Sequence, residues 1–128
     1  MRVFKIRSLA RFARKERISD QSLIEAIERA ERGIVDADLG GGLIKQRVAR
    51  AGQGRSGGFR MLIGYRVKDR AVFLYGFAKN ERDNIDPEEL LELRELAEDW
   101  LTARPEGIAR SLRDGALQEV DYGDETEA

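Results

Sequence analysis

The sequence contains no cysteine and no histidine among its 128 residues. Without cysteine, the chain has no disulfide bond, no thiolate metal ligand and no thiol nucleophile. Without histidine, it lacks the side chain that most often acts as a general base or a metal ligand near neutral pH. Any catalysis therefore has to use lysine, arginine, tyrosine, serine, threonine or a carboxylate, and we expect neither a metal nor a cofactor.

Long apolar runs are also missing from the sequence. No stretch approaches the roughly 18 residues that a membrane-spanning helix needs, and charges interrupt residues 1–13 every few positions. The same residues lack the unbroken apolar core of a secretory signal peptide. We therefore expect a cytoplasmic protein with no membrane partner, and the chain is long enough to build a hydrophobic core of its own.

Charge is distributed unevenly, although the whole chain has a formal net charge of −1. Residues 43–82 contain ten Lys or Arg against two Asp or Glu, whereas residues 83–128 contain four against fifteen. A phosphate backbone responds to local rather than total charge, so the central segment predicts a nucleic-acid-binding surface. A neutral solvated face would instead interleave the two signs.

The N-terminal third of the sequence predicts a short strand followed by two helices. Ser8 is the expected N-cap of the first helix, and Ser19 or Asp20 is the expected N-cap of the second. Gly33 is the natural C-terminal stop of the second helix. Residues 34–42, which end in three consecutive glycines, are expected to form a loop.

Three strand-like segments follow, at residues 43–50, 59–66 and 71–78. In the first, Lys45 and Arg47 alternate with mostly apolar residues, so the two cations share one face of the strand. A glycine-rich loop joins the first two segments, as in a hairpin. The third segment is almost continuously apolar, which is typical of a central strand buried on both faces.

The C-terminal part predicts further helices. Asp86 and Pro87 supply an N-cap and a first-turn proline, and Pro105 ends that helix or restarts it. The fold class is therefore α+β, with two N-terminal helices packed on a mostly antiparallel sheet, plus C-terminal helices. We place the domain at residues 1–104 and treat residues 105–128 as a C-terminal helical and acidic tail.

Three segments at about residues 43–85 resemble a known family: GGLIKQRVA, GRSGGFR and YGFAKNERDNI. Their letters, order and spacing resemble the RelE/HigB-like toxins of type II toxin–antitoxin systems, and the resemblance covers about residues 1–104. It implies a RelE-like, microbial-RNase-like sheet and a metal-independent endoribonuclease that cleaves mRNA, typically on the ribosome. It also implies a cognate antitoxin that binds and blocks the toxin. Operator DNA is then bound only indirectly, through that antitoxin.

RNA cleavage without a metal requires cations at the reacting phosphate. Arginine offers a planar, permanently charged fork for phosphate oxygens, and a lysine can act as a base when neighbouring cations lower its pKa. The predicted catalytic residues are Lys45, Arg47, Arg60, Lys79 and Arg82. The predicted RNA-binding residues are Arg50, Arg55 and Tyr75.

Roles within this set follow from the chemistry of each side chain. We expect Arg60 and Arg82 to hold the scissile phosphate, while Lys45 or Lys79 acts as the base or the acid. The sequence leaves the order of the two lysines open. Tyr75 has two open roles, stacking on a base or donating a proton.

Other interpretations use the same residues. Alternating lysine and arginine on a strand usually mark a solvated sheet face. A non-catalytic RNA- or ribosome-binding module would need the basic face but no positioned base. A ParE-like gyrase inhibitor is a second alternative, which the cations retained at the strand positions disfavour, and a co-repressor acting only with its antitoxin is a third.

Overall fold

The structure is a computed structural model that describes residues 1–49, 58–79 and 85–122. Within these ranges the chain forms both helices and strands, so the predicted α+β class is confirmed. In chain order the elements are β1 (Arg2–Ile6), α1 (Arg7–Lys15), α2 (Asp20–Glu31), β2 (Ala37–Gly40), β3 (Leu43–Val48), β4 (Phe59–Arg66), β5 (Arg70–Ala78), α3 (Pro87–Thr102), α4 (Pro105–Arg113) and β6 (Leu117–Val120).

The strands form a sheet in the order β2-β3-β4-β5-β1-β6. Neighbouring strands are antiparallel except β1 and β5, which are parallel. The predicted mostly antiparallel sheet is therefore confirmed. Strand β5 is a central strand that is buried along most of its length, as its apolar sequence predicts. In the part of the chain that the structure describes, no helix is long and apolar enough to cross a membrane.

The sheet has two faces, and each packs against different helices. The α1/α2 face carries Phe59, Met61 and Ile63 of β4, which join a buried cluster with residues of α1 and α2. The α3 face carries Leu62 of β4 and Phe77 of β5, which join a second cluster with residues of α3 and α4. Alternation along β4 therefore divides its side chains between two cores.

The predicted loop at residues 34–42 is wrong in part, because it contains strand β2. Ala37 pairs with Lys45, and Gly40 pairs with Leu43 after a shift in register. The strand is short, lies at the edge of the sheet and has no apolar alternation, so periodicity does not detect it. The glycines at its end have positive φ angles, as the tight turn into β3 requires.

Helix starts follow the predicted capping residues in two of three cases. Ser19 accepts a hydrogen bond from the backbone of Ser22, and Asp86 accepts one from Glu89 at 2.9 Å. Helix α1 is different because it begins directly after β1, with Ile6 at the N-cap position and no side-chain cap. Ser8 therefore lies inside the first turn of α1 and does not cap it.

Residues 105–122 add a helix and a strand to the core. Strand β6 pairs antiparallel with β1, with Leu117 opposite Ile6. Leu117 and Ile108 of α4 are each 1% exposed and belong to the cluster on the α3 face. The predicted boundary, between residues 104 and 105, falls where the two-residue connection between α3 and α4 ends and α4 begins.

Candidate nucleic-acid interface

Strand β3 presents its cations and its buried residues on opposite faces. Ile44 and Val48 belong to the cluster on the α1/α2 face, and the Gln46 side chain between them bonds to the carbonyl of Ala26 in α2. Lys45 and Arg47 therefore point to the α3 face, where Lys45 is half-buried and Arg47 is exposed. The alternation that the sequence predicts for this strand is confirmed.

The strand register places further residues of the α3 face beside these cations. Arg47 of β3 pairs with Arg60 of β4, and Arg60 pairs with Phe77 of β5. In the neighbouring row, Lys45 pairs with Leu62, and Leu62 pairs with Tyr75. Directly paired residues share a face, with Cβ atoms about 4.5–5.5 Å apart. We call the resulting set the basic patch; its members are Lys45, Arg47, Arg60, Tyr75 and Phe77.

The basic patch lies toward one end of the sheet. Val48, Phe59 and Ala78 pair with one another across the three strands at that end. Helix α3 covers the opposite end, where a Cβ atom on Gly64 would lie 3.2 Å from Ala97 Cβ. Gly64 is four residues along β4 from Arg60, a distance of about 14 Å in a strand. This contact between α3 and the sheet is therefore remote from Arg60.

Arg60 has an unusual environment for an arginine. Its Nη1 atom is buried and has no hydrogen-bond partner among the described residues. Burial lowers the pKa of Arg60, the nearby Arg47 guanidinium lowers it further, and Asp36 opposes this change. Buried polar groups in proteins are almost always hydrogen-bonded, so an unpaired one needs an explanation. An anionic ligand would supply both the acceptor and the opposite charge.

A carboxylate outside the predicted set contacts the patch. Asp36 Oδ2 accepts a hydrogen bond of 2.6 Å from the backbone nitrogen of Arg47, and Asp36 Oδ1 lies 3.6 Å from Arg47 Nε. Arg29 Nη1, from α2, lies 3.5 Å from Asp36 Oδ2. Sequence reasoning missed both residues, because Arg29 looks like a surface residue of a helix and Asp36 falls in the predicted loop.

The remaining predicted residues are only partly placed. Lys79 is exposed and directly follows β5, at the end of the sheet where the basic patch lies. Tyr75 is half-buried, and its ring centroid lies 5.9 Å from that of Phe77. Arg50, Arg55 and Arg82 lie outside the described residues. Among residues 1–49, 58–79 and 85–122, no group of three carboxylates could hold a metal ion.

This arrangement has the chemistry of a phosphate-binding surface. Two arginines at adjacent positions can each present a planar fork of donors to phosphate oxygens. Lys45 adds a smaller cation that can donate or, when deprotonated, accept a proton. Tyr75, which is half-buried, offers an aromatic ring of the kind on which unpaired bases stack, whereas Phe77 is buried in the cluster on the α3 face. Cations and an aromatic ring, the groups that single-stranded RNA requires for binding, therefore lie on one sheet face.

Comparison with known proteins gives one family. A family profile described as the RelE toxin of the RelE/RelB toxin–antitoxin system matches residues 1–120. The match runs from the first strand to the last residue of β6, and it includes every residue of the basic patch. No curated protein has a significant match to this sequence.

Proposed function

Because the chain belongs to the RelE toxin family, we propose that it is the toxin of a type II toxin–antitoxin system and acts by cleaving mRNA. Members of the family are generally ribosome-dependent endoribonucleases, so ribosome-bound mRNA is the proposed substrate. A cognate antitoxin is the proposed inhibitor, and the cytoplasm, which holds the ribosomes, is the proposed location. The proposal includes the microbial-RNase-like arrangement of helices and sheet.

The unpartnered guanidinium nitrogen of Arg60 carries this proposal. Leaving a buried donor unpaired costs about 1–3 kcal/mol, and more when the group is charged. A fold that keeps such a group next to a second arginine gains from an anion that binds both. A phosphodiester fits because the half-buried Tyr75 supplies a stacking surface for an attached base.

The proposed reaction uses the 2′-hydroxyl group of RNA as the nucleophile. Its oxygen attacks the adjacent phosphorus, and the bond from phosphorus to the 5′-oxygen breaks. The products are a 2′,3′-cyclic phosphate and a 5′-hydroxyl. Arg60 and Arg47 bind the non-bridging oxygens and stabilise the charge that develops there.

Two protons must move in this reaction. One leaves the 2′-hydroxyl for a base, and one reaches the departing 5′-oxygen from an acid. The proposed acid and base are two lysines. Lys45 lies on the same face as Arg60, and Lys79 lies at the same end of the sheet. Arg82 remains a proposed phosphate ligand, and Arg50 and Arg55 remain proposed RNA contacts.

Growth after induced expression tests the proposal in cells. We expect wild-type protein to arrest growth and Arg60→Ala to allow it, since loss of one charge-stabilising donor costs about 10²–10³-fold in rate. Arg66→Ala is the matched control, because Arg66 lies on the same strand but pairs with Asp69 at 3.1 Å. Arg60→Ala protein that is folded and as toxic as the wild type would contradict the assignment.

The same cultures separate the alternatives. Cleavage of mRNA within translated codons supports the ribonuclease. Arrest with intact mRNA would indicate a non-catalytic ribosome-binding module, and arrest with trapped gyrase–DNA complexes would indicate a ParE-like activity. Lys45→Ala and Lys79→Ala, compared at equal expression, rank the two proposed proton-transfer residues.

A further inference from the structure

Asp36 is the only carboxylate in ion-pair contact with a member of the basic patch within the described residues. It holds one arginine in two ways, through the backbone nitrogen of Arg47 at 2.6 Å and through the Arg47 side chain, whose Nε lies 3.6 Å from Oδ1. The Arg47 side chain is 48% exposed, whereas that of Asp36 is only 18% exposed. The carboxylate is therefore the fixed member of this pair.

Two contacts besides those with Arg47 fix Asp36 itself. Its backbone nitrogen donates a hydrogen bond of 2.7 Å to Gln46 Oε1, and Gln46 is fully buried. Its Oδ2 atom lies 3.5 Å from Nη1 of Arg29, which is 3% exposed. Arg29 in turn bonds Glu25 at 3.0 Å and donates to the carbonyl oxygen of Arg47. A long side chain buried with several partners cannot swing away, so Asp36 has a rigid support.

The neighbouring cations explain why such a support is needed. Arg47 and Arg60 are direct cross-strand partners, and like charges in that position repel each other. Without a counter-charge, the exposed Arg47 side chain would turn toward solvent when no RNA is bound. Asp36 opposes the effect that burial and Arg47 have on the pKa of Arg60, so its charge acts on both arginines.

We propose that Asp36 is a positioning residue that holds the Arg47 guanidinium beside Arg60 before RNA binds, with buried Arg29 as its anchor. This inference rests on the proposed ribonuclease function. Asp36 touches no substrate, and it acts through Arg47. Pre-organised donors lower the cost of stabilising the transition state. The negative charge of Asp36 also weakens the general attraction of the basic patch for RNA. Loss of this charge therefore lowers kcat without raising KM.

The test combines a charge-neutral variant with a control that has the same change. Asp36→Asn keeps a side-chain acceptor for the Arg47 backbone and removes the charge. Asp38→Asn is the control, since Asp38 is exposed on β2 and its Oδ1 accepts a hydrogen bond from Gly40 at 2.9 Å. For mRNA cleavage on ribosomes, we expect Asp36→Asn to lower kcat about ten- to a hundredfold with KM unchanged or lower, and Asp38→Asn to match the wild type.

A double-mutant cycle shows whether Asp36 acts through Arg47. In an Arg47→Ala background, Asp36→Asn should cause no further loss of kcat, because the group that it positions is gone. An equal loss in both backgrounds, or a loss that follows the melting temperature across all variants, would overturn the proposal.

A second readout does not depend on activity. The Arg47 Nε–H signal in a ¹⁵N NMR spectrum is assigned as the one that disappears in Arg47→Lys. We expect it to be ordered in RNA-free wild type and mobile in Asp36→Asn. A mobile signal in the wild type would overturn the proposal even if Asp36→Asn did not fold. Wild type that cleaves no RNA would instead overturn the proposed function, while the NMR comparison would still decide whether Asp36 orders Arg47.

Discussion

Arg29 and Arg60 lie on the two sides of the sheet, and their buried groups are treated in opposite ways. Arg29, on the α1/α2 face, is 3% exposed and contacts Glu25, Asp36 and the backbone of Arg47. Arg60, on the α3 face, has a buried nitrogen without a partner among the described residues. Both are arginines next to β3, so residue type alone does not explain the difference.

Buried polar groups that have protein partners are structural, whereas a buried polar group without a partner is available to a ligand. On the α1/α2 face, Gln46 resembles Arg29, because its side-chain amide and carbonyl bond to three backbone groups. Such a set stabilises one packing of α2 on β3 and leaves nothing for a ligand. On the α3 face, the buried Nη1 atom of Arg60 has no partner among the described residues. We therefore expect mutations on the two faces to divide between stability and activity.

The largest effect on stability is expected at Arg29. Arg29→Leu removes the charge that two partly exposed carboxylates share and the donor to the carbonyl oxygen of Arg47, which we expect to cost about 3 kcal/mol. Urea unfolding measures this change. Arg32→Leu is the control, because Arg32 is exposed at the end of α2, and it should change the free energy of unfolding by less than about 0.5 kcal/mol. Equal effects of the two substitutions would remove the distinction between the faces.

A smaller loss is expected at Gln46. Gln46→Leu leaves the carbonyls of Ala26 and Ile34 and the backbone nitrogen of Asp36 without their partner, which we expect to cost roughly 2 kcal/mol. Gln118→Leu on β6 is the matched control, since Gln118 is exposed. Thermal unfolding of both variants checks the prediction. A melting temperature of Gln46→Leu at or above that of the control would show that these bonds are dispensable.

A pH-dependent effect is expected at Tyr65, which packs against the cluster on the α1/α2 face and donates its hydroxyl to Glu31. Burial, reinforced by this bond, raises the pKa of Tyr65 above its usual value of about 10. The folded protein thus holds this proton more tightly than the unfolded chain does. The resulting stability is complete below about pH 10 and is lost as the pH rises further.

Tyr65→Phe tests this pH dependence. We expect the wild type to be more stable than the variant by about 1 kcal/mol at pH 8, and this difference to shrink between about pH 9.5 and 11. Urea unfolding of both proteins at each pH gives the difference directly. A difference that stays constant over this range would mean that the Tyr65 proton is not held by the fold.

The smallest change in stability is expected at Arg60, where activity changes most. Arg60→Leu removes a buried donor that has no partner to lose, so the free energy of unfolding should stay within about 0.5 kcal/mol of wild type or increase. The same variant should not arrest growth. Strong destabilisation by Arg60→Leu would show that Arg60 is a structural residue like Arg29.

Periodicity in the sequence predicts much of this architecture. The apolar run of β5 and the alternation of Lys45 and Arg47 on β3 both report burial directly, and both are confirmed. Strand β2 escapes detection because its few residues at the sheet edge bury little. Helix α1 has no side-chain cap, so a search for capping residues shifts its N-cap from Ile6 to Ser8 and its start from Arg7 to Leu9.

The geometry of the candidate site is harder to predict from the sequence than the order of helices and strands. Ten residues separate β3 from β4, so no tight turn fixes their register, and the pairing of Arg47 with Arg60 appears only in three dimensions. Buried Arg29 contacts Asp36, seven residues further along the chain, and no local sequence pattern predicts that contact. The roles of Lys45, Arg47, Arg60, Lys79 and Arg82 stay predictions, as do those of Arg50, Arg55 and Tyr75.

Cleavage of mRNA by purified protein in stalled ribosome complexes measures the proposed ribonuclease activity itself. Wild type, Arg60→Ala and Arg66→Ala are compared with and without EDTA, and the chemical ends of the products are identified. We expect cuts with 2′,3′-cyclic phosphate ends for wild type and Arg66→Ala, unaffected by EDTA, and a rate about 10²-fold or more lower for Arg60→Ala. Equal rates for all three proteins, or products with a 5′-phosphate, would show that Arg60 does not serve a metal-independent ribonuclease.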